Sequence, residues 1–93
     1  MLTAIVLIDV EAGRIPEAAT AIADVPGVSE VYSVTGEVDL IAMVRVREHD
    51  RLAEVIADQV SKVEGVLRTQ TYIAFRTYSK HDLEQAFALG IED

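Results

Sequence analysis

The spacing of apolar positions along this chain alternates between the period of a strand and the period of a helix. From Leu2 to Val10 the run LTAIVLIDV is almost continuously apolar and rich in β-branched residues, which predicts a strand covered on at least one face. Ile15, Ala18, Ala19, Ile22 and Val25 then follow the stripe of an amphipathic helix, with Pro16 in its first turn and Pro26-Gly27 stopping it. Val28 to Val34 reads as a second strand and Val38 to Arg47 as a third. A second helix follows, with Asp50 as its expected cap and Leu52, Val55, Ile56, Val60 and Val63 as its buried stripe. Gly65 ends that helix, and Val66 to Thr77 forms the last strand. Beyond it, SKHDLEQAFALG predicts a short third helix, because Ser79 and Asp82 stand at capping-box spacing.

The two halves are copies of one pattern. Ala19 to Val28 lies over Ala57 to Val66, placing Ile22 on Val60, Val25 on Val63, Gly27 on Gly65 and Val28 on Val66. The strand-like stretches AIVLIDV and AMVRVRE correspond as well. Two β-α-β units related by a pseudo-twofold predict an α+β, ferredoxin-like βαββαβ sandwich, with both helices on one face of a four-stranded antiparallel sheet. At 93 residues the chain is one domain with a thin core. Residues 1–79 are expected to form that domain, and 80–93 a C-terminal helix and tail that pack in an oligomer.

The sheet's second face does not read as polar. If Ala4, Val6 and Ile8 point toward the helices, Ile5 and Leu7 point away; Leu40, Ala42 and Val44 point in while Ile41 and Met43 point out. On the last strand Tyr72 and Ala74 share one side, Ile73 and Phe75 the other. An exposed apolar patch on a small domain marks an interface, so Ile5, Leu7, Ile41, Met43, Tyr72 and Ala74 are expected to pair two copies sheet to sheet as a dimeric α+β barrel. The alternative is that the third helix, with Leu83, Ala86, Phe87 and Leu89, folds back over its own sheet.

Composition narrows the function. A formal net charge of -8, with no Lys or Arg cluster to offset it, disfavours direct binding to nucleic acid or to an anionic membrane surface. With 0 cysteines, disulfides, thiolate zinc sites and cysteine nucleophiles are excluded. MLTAIVLIDV has no basic leader and meets Asp9 too early to span a bilayer, so a cytoplasmic protein is expected.

The stretch VTGEVDL, Val34 to Leu40, interrupts the apolar pattern. Its plain reading is a hairpin turn, since Gly36 takes a positive φ without penalty. Its chemistry also suits a free amino acid: main-chain N–H groups beside a glycine can hold a carboxylate, and Glu37 and Asp39 can hold an ammonium group. Thr35, and Thr69, Gln70 and Thr71 on the last strand, add hydroxyl and amide hydrogen bonds.

The ordered set Pro26-Gly27-Val28, VTGEVDL and VEGVLRTQT resembles the effector-binding (RAM) domain of the Lrp/AsnC transcription regulators. Gly36 and Asp39 match that family's Gly-x-x-Asp turn, and Gly65, Val66, Thr69 and Thr71 match its Gly-Val with spaced threonines. The resemblance covers nearly the whole chain. It implies a domain that dimerises through its sheets, assembles further, and binds small effectors, typically amino acids, between dimers. By position it assigns Gly36, Glu37, Val38 and Asp39 to the pocket, with Thr69, Gln70 and Thr71 as contributors. Val38 stands where many members carry an aromatic residue. Full-length members place a DNA-binding helix-turn-helix before this domain, whereas this chain opens on the first strand. The resemblance therefore implies a stand-alone member that senses a metabolite or joins full-length relatives in mixed assemblies, modulating transcription indirectly.

Other chemistry finds little support. His49 and His81 are far apart, each beside an aspartate at an expected helix start, and read as solvated residues near caps rather than metal ligands. Ser79, His81 and Asp82 have the residue types of a triad but point different ways on one helical turn. Arg45, Arg47 and Arg51 form a short basic rim suited to ion pairs or to gripping a carboxylate or a partner. Tyr32, Tyr72 and Tyr78 suit half-buried interface positions. No catalytic residue, metal or cofactor is expected, and the function expected is not enzymatic. Two alternatives share the fold. One is a small dimeric α+β barrel enzyme, which the aliphatic inward positions disfavour; the other is an ACT-like domain holding its amino acid at the Val10–Gly13 loop.

Overall fold

A computed structural model of the protein describes residues 1–80. The chain forms β1 (Leu2–Val10), a 3-10 turn at Ala12–Arg14, α1 (Ile15–Ala23), β2 (Val28–Ser33), β3 (Leu40–Val46), a second helical segment, and β4 (Val66–Ile73). All neighbouring strands are antiparallel, in the order β2-β3-β1-β4. Central strands β1 and β3 are thus flanked by edges β2 and β4. This is the ferredoxin-like α+β topology that the repeated pattern predicts.

One face of the sheet carries the core. Ala4, Val6 and Ile8 of β1 and Leu40, Ala42 and Val44 of β3 are fully enclosed, with Ile22 of α1 and Val55 and Val60 of the second segment packed on them. Each large aliphatic buried there contributes about 1.5–3 kcal/mol. The strand alternation read from sequence is the alternation observed: Ile5, Leu7, Ile41 and Met43 lie on the opposite face and stay half-buried.

The two helical segments differ in winding. α1 is regular, begins with Pro16 in its first turn, and buries Ala18 and Ile22, four residues apart. The second starts as α2 (His49–Ala53), widens into π-helical turns over Glu54–Gln59 and tightens to a 3-10 turn at Val60–Lys62. Its enclosed residues are Leu52, Val55 and Val60. Val55 and Val60 are five apart, a spacing that a regular α-helix places on diverging faces. The wide turn lets both reach the sheet.

Gly27 and Gly65, equivalent in the repeat, take φ 103 and φ 95 where each helical segment turns into the next strand. At Gly27 the space is also closed: a Cβ would lie 2.8 Å from Val55 Cγ2.

Some boundaries depart from the pattern reading. The second helix begins at His49 with Glu48 at the N-cap position, and no side chain caps it, so Asp50 is a first-turn residue and not the cap. β3 starts at Leu40 rather than Val38, because the hairpin loop takes the two residues before it. β4 stops at Ile73, opposite Ala4 of β1, rather than at Thr77; one further bond, Ala74 N–H donating to Thr3 O at 2.9 Å, follows it. The third helix, except Ser79 and Lys80, lies outside the described residues, as do His81 and Asp82.

Candidate functional site

The hairpin between β2 and β3 is stitched to the end of β1 by one residue. Val34 N–H donates to Asp39 O at 3.1 Å, and Asp39 N–H donates to Ile8 O at 3.1 Å. The Asp39 carboxylate then accepts from Val10 N–H at 2.9 Å, in a part-buried position. Asp39 therefore continues the β1–β3 ladder with its side chain where backbone pairing has ended.

Out beyond this fastening the loop is open. Thr35, Gly36 and Glu37 are exposed and Val38 is half-buried, and none of the four makes a hydrogen bond within the described residues. Gly36 has φ 117 and nothing within 4 Å of where a Cβ would stand. Glycine is needed there for the dihedral angle, not for room. The loop thus offers free main-chain N–H donors beside the Glu37 carboxylate, which are the groups that hold the two charged ends of an amino acid.

The β4 residues are placed differently from one another. Thr69 pairs with Ile8 and Thr71 with Val6, so both face the helices, whereas Gln70 pairs with Leu7 and lies on the open face. Thr69 Oγ1 sits 3.4 Å from Ser61 Oγ, and Gln70 Nε2 donates to Tyr72 OH at 2.9 Å. Because β1 separates β4 from β3, these residues stand two strand spacings, roughly 10 Å, from the hairpin. One chain does not bring Thr69, Gln70 and Thr71 together with Gly36 and Glu37.

Sequence reasoning passed over Asp9 and Arg68, which lie on the open face near the hairpin with Arg68 Nε 3.6 Å from Asp9 Oδ2. The signal was present, since Asp9 is the residue that breaks the apolar run of β1. The Val10–Gly13 loop of the ACT-like alternative is held by the chain itself. Glu11 N–H donates to Gly65 O at 2.9 Å, and Arg14 pairs with Glu64.

Across the open face run two rows, Tyr32–Ile41–Leu7–Gln70 and Glu30–Met43–Ile5–Tyr72. Aliphatic residues hold the centre and polar or aromatic groups the margin. Arg45 reaches Glu30 Oε1 at 3.3 Å. A hydrogen bond from the Tyr32 phenol to Glu30 raises the phenol's pKa above 10.0, with lesser help from desolvation and the Glu30 charge.

The family profile described as the Lrp/AsnC ligand binding domain matches residues 3–83. The chain belongs to this family. Its relatives include the HTH-type transcriptional regulator FL11 of Pyrococcus furiosus, 32% identical over 79 residues, covering 85% of this chain and 52% of FL11. The chain thus spans about half the length of such Lrp/AsnC regulators. Among solved structures, TTHA0845 from Thermus thermophilus is 45% identical with a TM-score of 0.81, covering 86% of this chain and 100% of that one. The feast or famine regulatory protein Rv3291c from M. tuberculosis, solved with L-methionine, is 27% identical with a TM-score of 0.71, covering 86% of this chain and 54% of that one.

Within this Lrp/AsnC domain, no group of three or more His, Asp or Glu among the described residues is arranged to hold a metal ion. Nor is any described helix long and apolar enough to cross a membrane.

Proposed function

We propose that this Lrp/AsnC domain is a non-enzymatic regulatory module that binds a free amino acid or similar small metabolite at the Thr35–Asp39 hairpin. The observation that carries the reading is the loop's chemistry: unpaired N–H donors and the Glu37 carboxylate stand side by side on a glycine-dependent turn anchored by Asp39. The L-methionine held by the M. tuberculosis relative supports this ligand class.

The open sheet face is the proposed dimer interface, centred on Ile5, Leu7, Ile41 and Met43 and bordered by Tyr72 and Ala74. Since β1 keeps β4 apart from the hairpin within one chain, Thr69, Gln70 and Thr71 would complete the pocket only from another copy. Dimers assembling further, with themselves or with full-length Lrp/AsnC relatives, supply that copy. Ligand then favours one assembly over another by its difference in affinity, and transcription is modulated through a DNA-binding partner, not by this acidic domain touching DNA.

Calorimetric titration with a panel of amino acids tests the site. Glu37→Gln is the sharper probe, because Asp39 also fastens the fold. Loss of the charge-assisted ammonium bond should weaken the best ligand about tenfold or more. Unchanged affinity in Glu37→Gln, with binding intact in the parent, would move the ligand elsewhere.

A further inference from the structure

At the end of the sheet away from the hairpin, the acidic chain gathers three of its 8 basic residues in one groove. The groove has a volume of about 380 Å³ and is lined by Gly27, Arg45, Val46, Arg47, Glu48 and Arg51. Three elements hold it in shape. Arg45 N–H donates to Gly27 O at 2.9 Å, fixing the end of β3 to the loop before β2, and Arg51 projects from the first turn of α2.

The three guanidinium groups are not equally engaged. Arg45 pairs with Glu30 at 3.3 Å and Arg51 with Glu54 at 2.6 Å, both half-exposed pairs of the kind that contribute little in water and exchange readily. Arg47 has no ion pair or hydrogen bond among the described residues. Glu48, on the groove wall, places a carboxylate against any anion that enters.

We propose that this groove is a second ligand site, specific for a phosphate group, carried either by inorganic phosphate or by a small phosphate ester. A monocarboxylate offers these arginines only what Glu30 and Glu54 already supply. A phosphate carries about -1.5 to -2 charge at pH 7 and three acceptor oxygens, enough to engage Arg47 and draw Arg51 from its exposed partner despite Glu48. Arg45, whose side chain lies on the open face with Glu30, lines the groove at the end of β3. Arginine's planar fork suits such an oxyanion better than lysine would. The site is independent of the hairpin, so its presence or absence leaves the amino-acid reading untouched.

Titrations of the full chain followed by amide resonances, with inorganic phosphate, pyrophosphate, adenosine monophosphate and acetate at matched ionic strength, test it. Saturable shifts centred on Gly27, Arg47 and Glu48 are expected for the phosphates and not for acetate. Arg47→Gln should weaken phosphate about tenfold, and Glu48→Gln should tighten it. Stronger binding of adenosine monophosphate than of phosphate indicates an ester, and equal or weaker binding free phosphate. Shifts that fail to saturate, that acetate reproduces, or that Arg14→Gln diminishes as much as Arg47→Gln overturn the proposal.

Discussion

The two faces of the sheet are built from the same strands and the same aliphatic residue types, yet they have different fates. On the helix-covered face Ala4, Val6, Ile8, Leu40, Ala42 and Val44 are fully enclosed within the chain. On the other, Ile5, Leu7, Ile41 and Met43 are only half-buried, while Tyr32 and Tyr72 at the margins are each 50% exposed. A sheet facing water alternates apolar with polar; this one alternates apolar with apolar. The proposed pairing of two copies through the open face would account for this difference.

Substitutions sharpen that contrast. The largest effect belongs to the helix-covered face: Ile8→Ala should lower unfolding free energy by about 2–5 kcal/mol, and Ile41→Ala in the isolated monomer by clearly less, as measured by denaturant melts at low protein concentration. Equal losses would mean that the open face is already packed within one chain. Next comes Gly27→Ala, which combines a disfavoured φ with a Cβ 2.8 Å from Val55 Cγ2 and should cost about 1–3 kcal/mol. Gly36→Ala shares the disfavoured φ but meets no such neighbour, so it should cost about 1 kcal/mol and shift the melt less than Gly27→Ala does.

Smallest is the signature of the open face's margin. The Tyr32 pKa is raised above 10.0, chiefly by its hydrogen bond to Glu30. A raised pKa means that the folded state favours the neutral phenol. Its contribution is therefore whole below 10.0 and is lost as pH rises through the folded-state value. An ultraviolet titration should show one tyrosine ionising late, and Glu30→Gln should abolish that delay.

Most of the fold was legible in the chain. The repeat placed Ile22 over Val60 and Gly27 over Gly65, and the structure gives each pair the same role, buried residue or left-handed turn. The second helix was less legible, because Leu52, Val55, Ile56 and Val60 can be read as an ordinary stripe; only packing reveals that Val55 and Val60 share a face through a π-helical turn. At the candidate site, Gly36 and Asp39 announced a hairpin. What could not be read was that the Asp39 carboxylate turns back to Val10 N–H, or that of Thr69 and Gln70 it is Thr69 that faces the helices. Those facts depend on strand register, which pairs residues far apart in sequence and is shifted here by an irregularity between Asp9 and Val10.

The central claim, that the open face joins two copies, is met most directly by native mass spectrometry of the parent chain beside Ile41→Lys. The account predicts a dimer or a multiple of dimers for the parent and a folded monomer for the variant. A parent that stays monomeric at working concentrations, or a variant that assembles as the parent does, would contradict it.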